Sequence, residues 1–444
     1  MKMKVRLEVV VLLVALPVLS IAGSVRAGVN PGDTITSDQA DKVADLVSPG
    51  NLILVKQGMT MKIVPSDRLE WPPPYKSATE KYSPQVQLAP DGTLKGYAAG
   101  LPFPLVDAND PQAALKVMWN FSYRPLYTDD AISKNVEIAS YKAGSTPADP
   151  VEHLTIGNVG FYNNTGRTEV NPIPTDPEAA QSGIRYRFGA YPFLEPAEMR
   201  GFGFIRYRSL DPKVEDNSWM MSPRTRRARR ASASELSDVV GLLDASAGAG
   251  GAGAGTYASN LDPDSFFGFA AKIEDFDYKF LGEKPMLAVV NAQNSPAKAC
   301  PTDGGRTICP ENWEMRRLYV IEAVAKQNSA IGATLSIPKR ILYIDSEGWF
   351  ITASDQYDRD GKLWKTVATF NAYRDRPIPD ARVAIWPFKR MFQTALVDED
   401  VTTGFSTVVL SPGVETDEHE SWYINMGLAT ENFFNPASMA NAAH

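Results

Sequence analysis

The fold is decided by residues 340–370, which read RILYIDSEGWFITASDQYDRDGKLWKTVATF. Three short runs in this stretch are apolar or partly alternating: Arg340–Asp345, Trp349–Tyr357 and Lys362–Phe370. Turn-forming Ser, Asp and Gly residues separate them. Strand-length runs joined by such turns are typical of an antiparallel meander, in which one face of the sheet is dry and the other wet. The stretch therefore predicts three consecutive antiparallel strands.

The same pattern continues outside this stretch, because most of the remaining chain consists of short apolar runs and turns. Residues 183–187 and 201–209 are two further predicted strands. We expect a mainly β protein of the α+β class, built on a large antiparallel sheet.

Three segments have helical spacing instead. Residues 38–48 place their apolar side chains on one face, and Pro49–Gly50 should stop this helix. A second helix is predicted to start at Asp110, with Pro111 at its first helical position, and to continue to Phe121. A third is predicted over residues 262–273.

The composition excludes several classes of protein. The chain has 444 residues, 44% of them hydrophobic and 22% charged, which excludes a disordered, collagen-like or disulfide-scaffold protein. The formal net charge of -7 disfavours nucleic acid as a partner. Two Cys and three His are too few for a Cys-rich zinc or iron–sulfur site, and we expect no cofactor.

The N-terminal segment has the pattern of a secretory signal. Lys2, Lys4 and Arg6 precede the apolar run Val9–Ala22, which is shorter than the about 20 residues of a membrane-spanning helix. Cleavage is expected after Ala27, and an uncleaved anchor is the alternative. No Cys lies near this point, so we expect a periplasmic protein without a lipid anchor, in which residues 28–444 form one domain.

The two cysteines fit an oxidising compartment. Cys300 and Cys309 flank a polar loop that contains two glycines. In the periplasm such a pair forms a local disulfide, which is our prediction; two unpaired thiols are the alternative.

No motif in the sequence assigns a catalytic residue. Neither Gly-x-Ser-x-Gly nor His-Glu-x-x-His occurs, and His153 and His419 have no recognisable nucleophile beside them. Residues 417–420 are acidic but typical of a solvated loop. Residues 355–361 do not fit an EF-hand, because Val367 falls at the position of the bidentate ligand; they are better interpreted as a hairpin turn. Acidic residues are plentiful, but sequence alone cannot pair two of them as a glycosidase would need.

One basic run is unusual in an acidic chain. It contains Arg224, Arg226, Arg227, Arg229 and Arg230. In a strand these side chains would alternate between two faces, and one face could present guanidinium groups to phosphate or carboxylate groups of a ligand or partner. The alternative is a charged edge that prevents aggregation between sheet edges.

Six segments, taken in order, carry a family resemblance: residues 66–75, 100–104, 116–121, 217–230, 273–283 and 357–365. Together they resemble outer-membrane lipoprotein-sorting proteins and a longer bacterial family of unknown function that is similar to LolA/LolB/LppX-like carriers. The Ala/Gly tract at 245–255 departs from that pattern and is interpreted as a flexible loop.

This resemblance implies a fold and a function. The fold would be a curved antiparallel sheet forming an incomplete β-barrel, with helices and loops as a lid over an apolar cavity. The function would be to carry a lipid, a lipoprotein acyl chain or another hydrophobic ligand, without catalytic residues. Its partners would be an inner-membrane RND-type transporter and an outer-membrane protein. A secreted hydrolase using acidic residues or His153, and a structural adaptor without a ligand, are the alternatives.

Overall fold

The computed structural model describes residues 28–125, 129–222, 227–231, 269, 272–328, 337–374, 388–413 and 421–442, and this part of the chain is mainly β-structure. The helices are α1 Pro49–Lys56, α2 Pro73–Tyr82, α3 Ala113–Ser122, α4 Pro177–Ser182 and α5 Pro436–Asn441. Short 3-10 helices are Ser37–Val43, Ser83–Gln85, Ala197–Met199, Ile273–Asp275 and Pro301–Asp303. The strands are β1 Thr34–Ile35, β2 Met61–Val64, β3 Gln87–Leu88, β4 Leu94–Lys95, β5 Asp130–Tyr141, β6 Glu152–Asn163, β7 Ile184–Ala190, β8 Phe193–Glu195, β9 Gly203–Ser209, β10 Asn217–Ser222, β11 Arg227–Ala231, β12 Phe276–Ala288, β13 Glu311–Ala325, β14 Lys339–Asp345, β15 Ile351–Tyr357, β16 Leu363–Arg374, β17 Arg390–Asp400, β18 Phe405–Leu410 and β19 Trp422–Ile424.

One large, curved, mostly antiparallel sheet organises the chain. Its strands pair in the order β12-β13-β14-β15-β16-β17-β18-β5-β6-β7-β9-β10-β11. β2 runs parallel to the start of β13, β1 pairs with β2, and β19 and β8 extend the pairing of β5 and β6. Within the described residues β11 and β12 do not pair, so the sheet stays open and forms an incomplete barrel.

The strand register divides the apolar side chains between two faces. Leu342 lies opposite Ser354, and Ser354 lies opposite Val367, so all three share one face. We call it the lid face, because α2 and α3, the lid, pack against it through the cluster that contains Leu342. Ala368 lies on the other face, where it joins the cluster of α1. Each face of the sheet therefore buries a separate helical layer.

The predicted meander is confirmed. β14, β15 and β16 pair in sequence as antiparallel neighbours. The turn between β15 and β16 is held by Asp358, whose Oδ1 accepts hydrogen bonds from the N–H groups of Asp360 (3.0 Å) and Lys362 (2.9 Å). The strands predicted at 183–187 and 201–209 correspond to β7 and β9.

The helix predicted over 38–48 is wrong in both type and end. A 3-10 helix covers Ser37–Val43, and α1 begins at Pro49, the residue that is predicted to stop the helix. The reason is that Pro fits the first helical position, and the side chain of Ser48 caps the helix by accepting from Asn51 N at 3.0 Å.

The second helix is confirmed with a later start. Asp110 closes a turn instead of the helix, since its Oδ1 accepts from Gln112 N and its carbonyl from Ala113 N, where α3 begins. Most of the third predicted helix, the signal segment at 1–27 and the Ala/Gly tract lie outside the described residues. No helix within the described ranges is long and apolar enough to cross a membrane.

Candidate ligand cavity

A cavity of about 160 Å³ lies between the lid and strands β6, β7 and β9. Its position follows from the fold, because the end of α3 and the start of α2 cover the lid face at this point. Aromatic rings form much of its wall: Tyr75, Tyr97, Phe121, Tyr123, Phe161, Tyr186 and Phe269.

Hydrogen bonds and ring contacts hold the lid side of the cavity together. The hydroxyl of Tyr75 on α2 donates to the carbonyl of Tyr123 at 2.6 Å, which ties α2 to the end of α3. The rings of Tyr97 and Tyr123 lie 3.9 Å apart, and the hydroxyl of Tyr97 donates to Gly100 O at 3.0 Å. Burial raises the pKa of the Tyr75 and Tyr97 hydroxyls well above the ordinary value, so both stay neutral.

The loop after β6 is held by a buried carboxylate. Asp129 accepts hydrogen bonds from the N–H groups of Thr168 (2.8 Å), Glu169 (2.7 Å) and Val170 (2.6 Å). Burial raises the pKa of Asp129, and these three hydrogen bonds oppose that shift. The buried guanidinium of Arg167 also holds this region, because it donates to the carbonyls of Asn163, Val170 and Pro172. Asp129 is therefore a structural group that shapes the wall.

A second carboxylate in the wall, that of Glu169, is also held by hydrogen bonds. Glu169 accepts from both terminal nitrogens of Arg390, with Nη1 at 2.9 Å from Oε1, and from Asn425 Nδ2 at 3.1 Å. Both members of this bidentate pair are largely buried. Asp129 and Glu169 are thus both held in the cavity wall by hydrogen bonds.

Arg185 projects into the cavity from an irregular point in the sheet. The pairing of β7 with β9 shifts between Ile184 and Tyr186, which leaves Arg185 as the extra residue of a β-bulge. Its carbonyl accepts from Asn164 N (3.0 Å) and Thr165 N (3.2 Å), which fixes the backbone there.

The guanidinium of Arg185 bridges the sheet to the lid. Its Nη2 donates to the carbonyl and the hydroxyl of Ser122, at 3.0 and 2.7 Å. Its Cζ lies 4.0 Å from the centre of the Tyr123 ring. No carboxylate among the described residues forms an ion pair with it.

A much smaller apolar space adjoins the cavity. It measures about 10 Å³ and is lined by side chains of β5, β6, β17, β18 and β19, among them Val136, Val409 and Trp422. Phe161 lines both spaces and so separates them. Charged groups thus share the wall of the larger cavity, whereas the resemblance implied an apolar one.

The basic run lies partly outside the described residues and away from the cavity. Arg224 and Arg226 are not among the described residues. Arg227, Arg229 and Arg230 lie exposed on β11 and do not line the cavity. The pairing of β11 with β10 places Arg227 and Arg229 on the lid face and Arg230 on the other, which is the predicted alternation.

The structure joins Cys300 to Cys309 in a disulfide. The loop that the disulfide closes contacts Gly58, whose carbonyl accepts from Thr302 Oγ1 at 2.6 Å. This loop does not line the cavity, and its contact with Gly58 holds it against the residue that follows α1 by two positions.

The other sequence candidates do not assemble into a site. His153 lies on β6 with Nε2 at 2.9 Å from Glu137 Oε1, and it does not line the cavity. His419, the acidic residues 417–420 and the cleavage residue Ala27 lie outside the described ranges. Within those ranges no group of three or more His, Cys, Asp or Glu side chains could hold a metal ion.

Sequence reasoning missed the cavity arginines, although a signal exists. The tetrapeptide Ile-Arg-Tyr-Arg occurs twice, at 184–187 and at 205–208. These copies lie on neighbouring antiparallel strands, where Tyr186 is opposite Arg208 and Arg187 is opposite Tyr207. In each pair the guanidinium lies over the ring, at 5.7 and 5.4 Å from its centre.

Several solved structures are similar to this chain. A domain from Vibrio parahaemolyticus, named for outer-membrane lipoprotein sorting, is 15% identical and has a TM-score of 0.46; the match covers 75% of this chain and all (100%) of that one. A DUF1329 family protein from Desulfovibrio piger is 14% identical, with a TM-score of 0.38 and coverage of 70% and 92%. A LolA superfamily protein from Nitrosomonas europaea is 14% identical, with a TM-score of 0.31 and coverage of 64% and 84%.

No functionally curated protein matches the chain. The family described as "Protein of unknown function (DUF1329)" matches residues 34–439. The chain belongs to this family, as the resemblance to a bacterial family of unknown function predicted.

Proposed function

We propose that this protein is a periplasmic carrier that binds an amphiphilic or hydrophobic molecule between the lid and the sheet. The observation that carries the proposal is the cavity of about 160 Å³ with seven aromatic rings in its wall. Apolar transfer contributes about 0.8 kcal/mol for each buried methylene, so such a wall can hold the end of an acyl chain without any catalytic group.

The size of the cavity limits what it can enclose. An engineered apolar cavity of about 150 Å³ holds one benzene molecule, whereas pockets for drug-sized ligands measure about 300–1,000 Å³. The cavity therefore takes one end of a lipid-like molecule. A longer chain needs additional space, and displacement of the Phe161 ring would join the cavity to the adjoining apolar space.

The carrier proposal is better supported than the alternatives. A hydrolase needs a carboxylate or imidazole free to move a proton, but Asp129 and Glu169 are held by hydrogen bonds and His153 lies away from the cavity. A purely structural adaptor gives no reason for a ligand-sized space under the lid.

Localisation and partners belong to the same proposal. Cleavage after Ala27 would leave residues 28–444 as one secreted carrier domain, and mass analysis of the secreted protein should find Gly28 at its N-terminus. The resemblance also supports two partners for this carrier, an inner-membrane RND-type transporter and an outer-membrane protein.

The test is native mass spectrometry, followed by lipid extraction, of protein purified from its own periplasm. We expect a co-purifying amphiphile at a stoichiometry near one. Thr165→Trp should fill the cavity and reduce this occupancy. Thr175→Trp is the matched control, because Thr175 is the bridge partner of Thr165 but does not line the cavity. Protein that is free of ligand, and that takes up no added amphiphile, would rule the carrier function out.

A further inference from the structure

The geometry points to an anionic ligand: we propose that the molecule in the cavity carries a carboxylate or phosphate group that binds Arg185. This inference rests on the proposed carrier function and adds the chemical class of the ligand. It assigns the anion contact to Arg185 on β7, beside the end of α3, instead of to the basic run that includes β11.

The first argument is the number of hydrogen-bond donors that Arg185 leaves unused. A guanidinium has five N–H groups. In Arg185 only Nη2 donates, to Ser122, and Nε and Nη1 form no hydrogen bond with the described residues. Arg185 lines the cavity, so these remaining donors are available to a group that enters it. Carboxylate and phosphate match this planar fork with two parallel hydrogen bonds.

The second argument is the charge of the wall. Four arginines and two carboxylates line the cavity, so its formal charge is +2 in a chain whose net charge is -7. Arg390 pairs with Glu169, and Arg208 Nε lies 3.0 Å from Asp216 Oδ2. Arg185 has no such pairing within the described residues. The fourth arginine, Arg124, is also engaged: its Nη1 donates to the Phe121 carbonyl at 2.9 Å, and its guanidinium lies 4.3 Å from the centre of the Phe121 ring. Arg185 is therefore the cavity cation that we assign to an anion from outside.

The third argument is a second donor beside the first. The Ser122 hydroxyl accepts from Arg185, so its own hydrogen remains able to donate. An anion on Arg185 can accept from both groups at once. The rings of Phe121, Phe161 and Phe269 line the same cavity and can hold the apolar part of the same molecule.

The arginines of β11 lack these features. Arg227, Arg229 and Arg230 are exposed outside the cavity. Water and salt screen exposed charges, so single contacts there are weak. The partly buried Arg185 is screened less, which makes it the better group for selecting an anionic ligand.

The experiment compares four probes at pH 8 by calorimetry on the delipidated full-length mature protein: dodecanoate, dodecyl phosphate, dodecanol and inorganic phosphate. We expect the wild type to bind both anionic amphiphiles at least about tenfold more tightly than dodecanol, because a charged hydrogen bond is added. Inorganic phosphate should bind more weakly than either amphiphile, since it has no apolar part.

The variants separate charge from shape. Arg185→Gln should remove the tenfold preference for the anions and leave dodecanol binding unchanged. Arg185→Lys should give an intermediate affinity, because it keeps the charge but loses the planar fork. Arg200→Gln is the matched control, since Arg200 is exposed and does not line the cavity, and it should behave as the wild type.

Each possible result decides between the proposals. Equal wild-type binding of dodecanol and dodecanoate would overturn the anion inference while leaving the carrier function intact. Binding of none of the three amphiphiles would overturn the carrier function itself. Phosphate binding as tight as that of dodecyl phosphate would identify a free-anion site and overturn the assignment to an amphiphile. The first comparison needs only the wild type, so it holds even where a variant does not fold.

Discussion

The guanidinium of Arg185 lies 4.0 Å from the centre of the Tyr123 ring and donates to Ser122, one residue earlier on the same helix end. One side chain of the sheet thus contacts both the lid and the cavity. A ligand that binds Arg185 would compete with, or add to, the contacts that hold the end of α3. Ligand binding and lid position are therefore expected to be coupled.

Stability should fall as the pH rises from 4 to 7, in part because of Asp355. This carboxyl is fully buried, and burial raises its pKa to about 6 from a usual value of 3.8. The folded state consequently binds a proton more tightly than the unfolded state. The stabilisation is present at low pH and is lost as the pH rises through about 6, by about 3 kcal/mol.

Asp355→Asn tests the origin of this slope. Asp355 accepts from Gly50 N and Ser48 Oγ on the α1 side, and from Tyr343 at its other oxygen. An amide can keep the first two bonds and donate to Tyr343, so it mimics the protonated acid. Urea unfolding at several pH values should show a shallower pH slope than in the wild type. An unchanged slope would assign the effect to other carboxylates.

Breaking the buried pair of Glu169 and Arg390 should destabilise the protein strongly. Glu169→Gln removes the charge partner of an arginine that is largely buried, which costs about 3 kcal/mol or more. The matched control is Glu283→Gln, whose partner Arg317 is mostly exposed; we expect a loss of about 1 kcal/mol or less. Chemical denaturation measures both, and equal losses would contradict this account of the cavity wall.

Cys300 and Cys309 should be inaccessible to alkylation without a reductant, because they are joined. The Cys300→Ala, Cys309→Ala double variant should remain folded and lose about 2–3 kcal/mol or less, since the crosslinked loop is short. Alkylation followed by intact-mass measurement reports the redox state, and full labelling of both thiols in the native protein would refute the prediction.

The basic run can be tested separately from Arg185. Replacing Arg224, Arg226, Arg227, Arg229 and Arg230 together should preserve folding and weaken transfer to membranes or partner binding, more at low salt than at high salt. Ligand affinity in the cavity should not change. Normal transfer by a folded variant at low ionic strength would leave the run as a protective sheet edge.

Much of the sheet followed from the sequence. β14, β15 and β16 were predicted because their apolar runs and the Asp358 turn are local signals that need no distant partner. The prediction that Pro49 ends a helix was wrong, because proline interrupts the interior of a helix but also favours its first position, and Pro49 begins α1. The N-cap provided by Ser48 decides between these two roles of Pro49, and this hydrogen bond can be recognised only once the path of the backbone is known.

The cavity depended on tertiary structure. The sequence by itself determined the antiparallel β class and the alternation of arginines along β11, because both follow from the order of neighbouring residues. The family was also recognisable, because its segments occur in order along the chain. The bulge at Arg185 forms between strands whose paired residues on either side of it are 22 to 25 positions apart. The contact of Arg185 with Tyr123 and that of Glu169 with Arg390 join residues 62 and 221 positions apart. Such contacts arise only in the tertiary structure, because strand register and helix packing decide which side chains meet and no local periodicity encodes them.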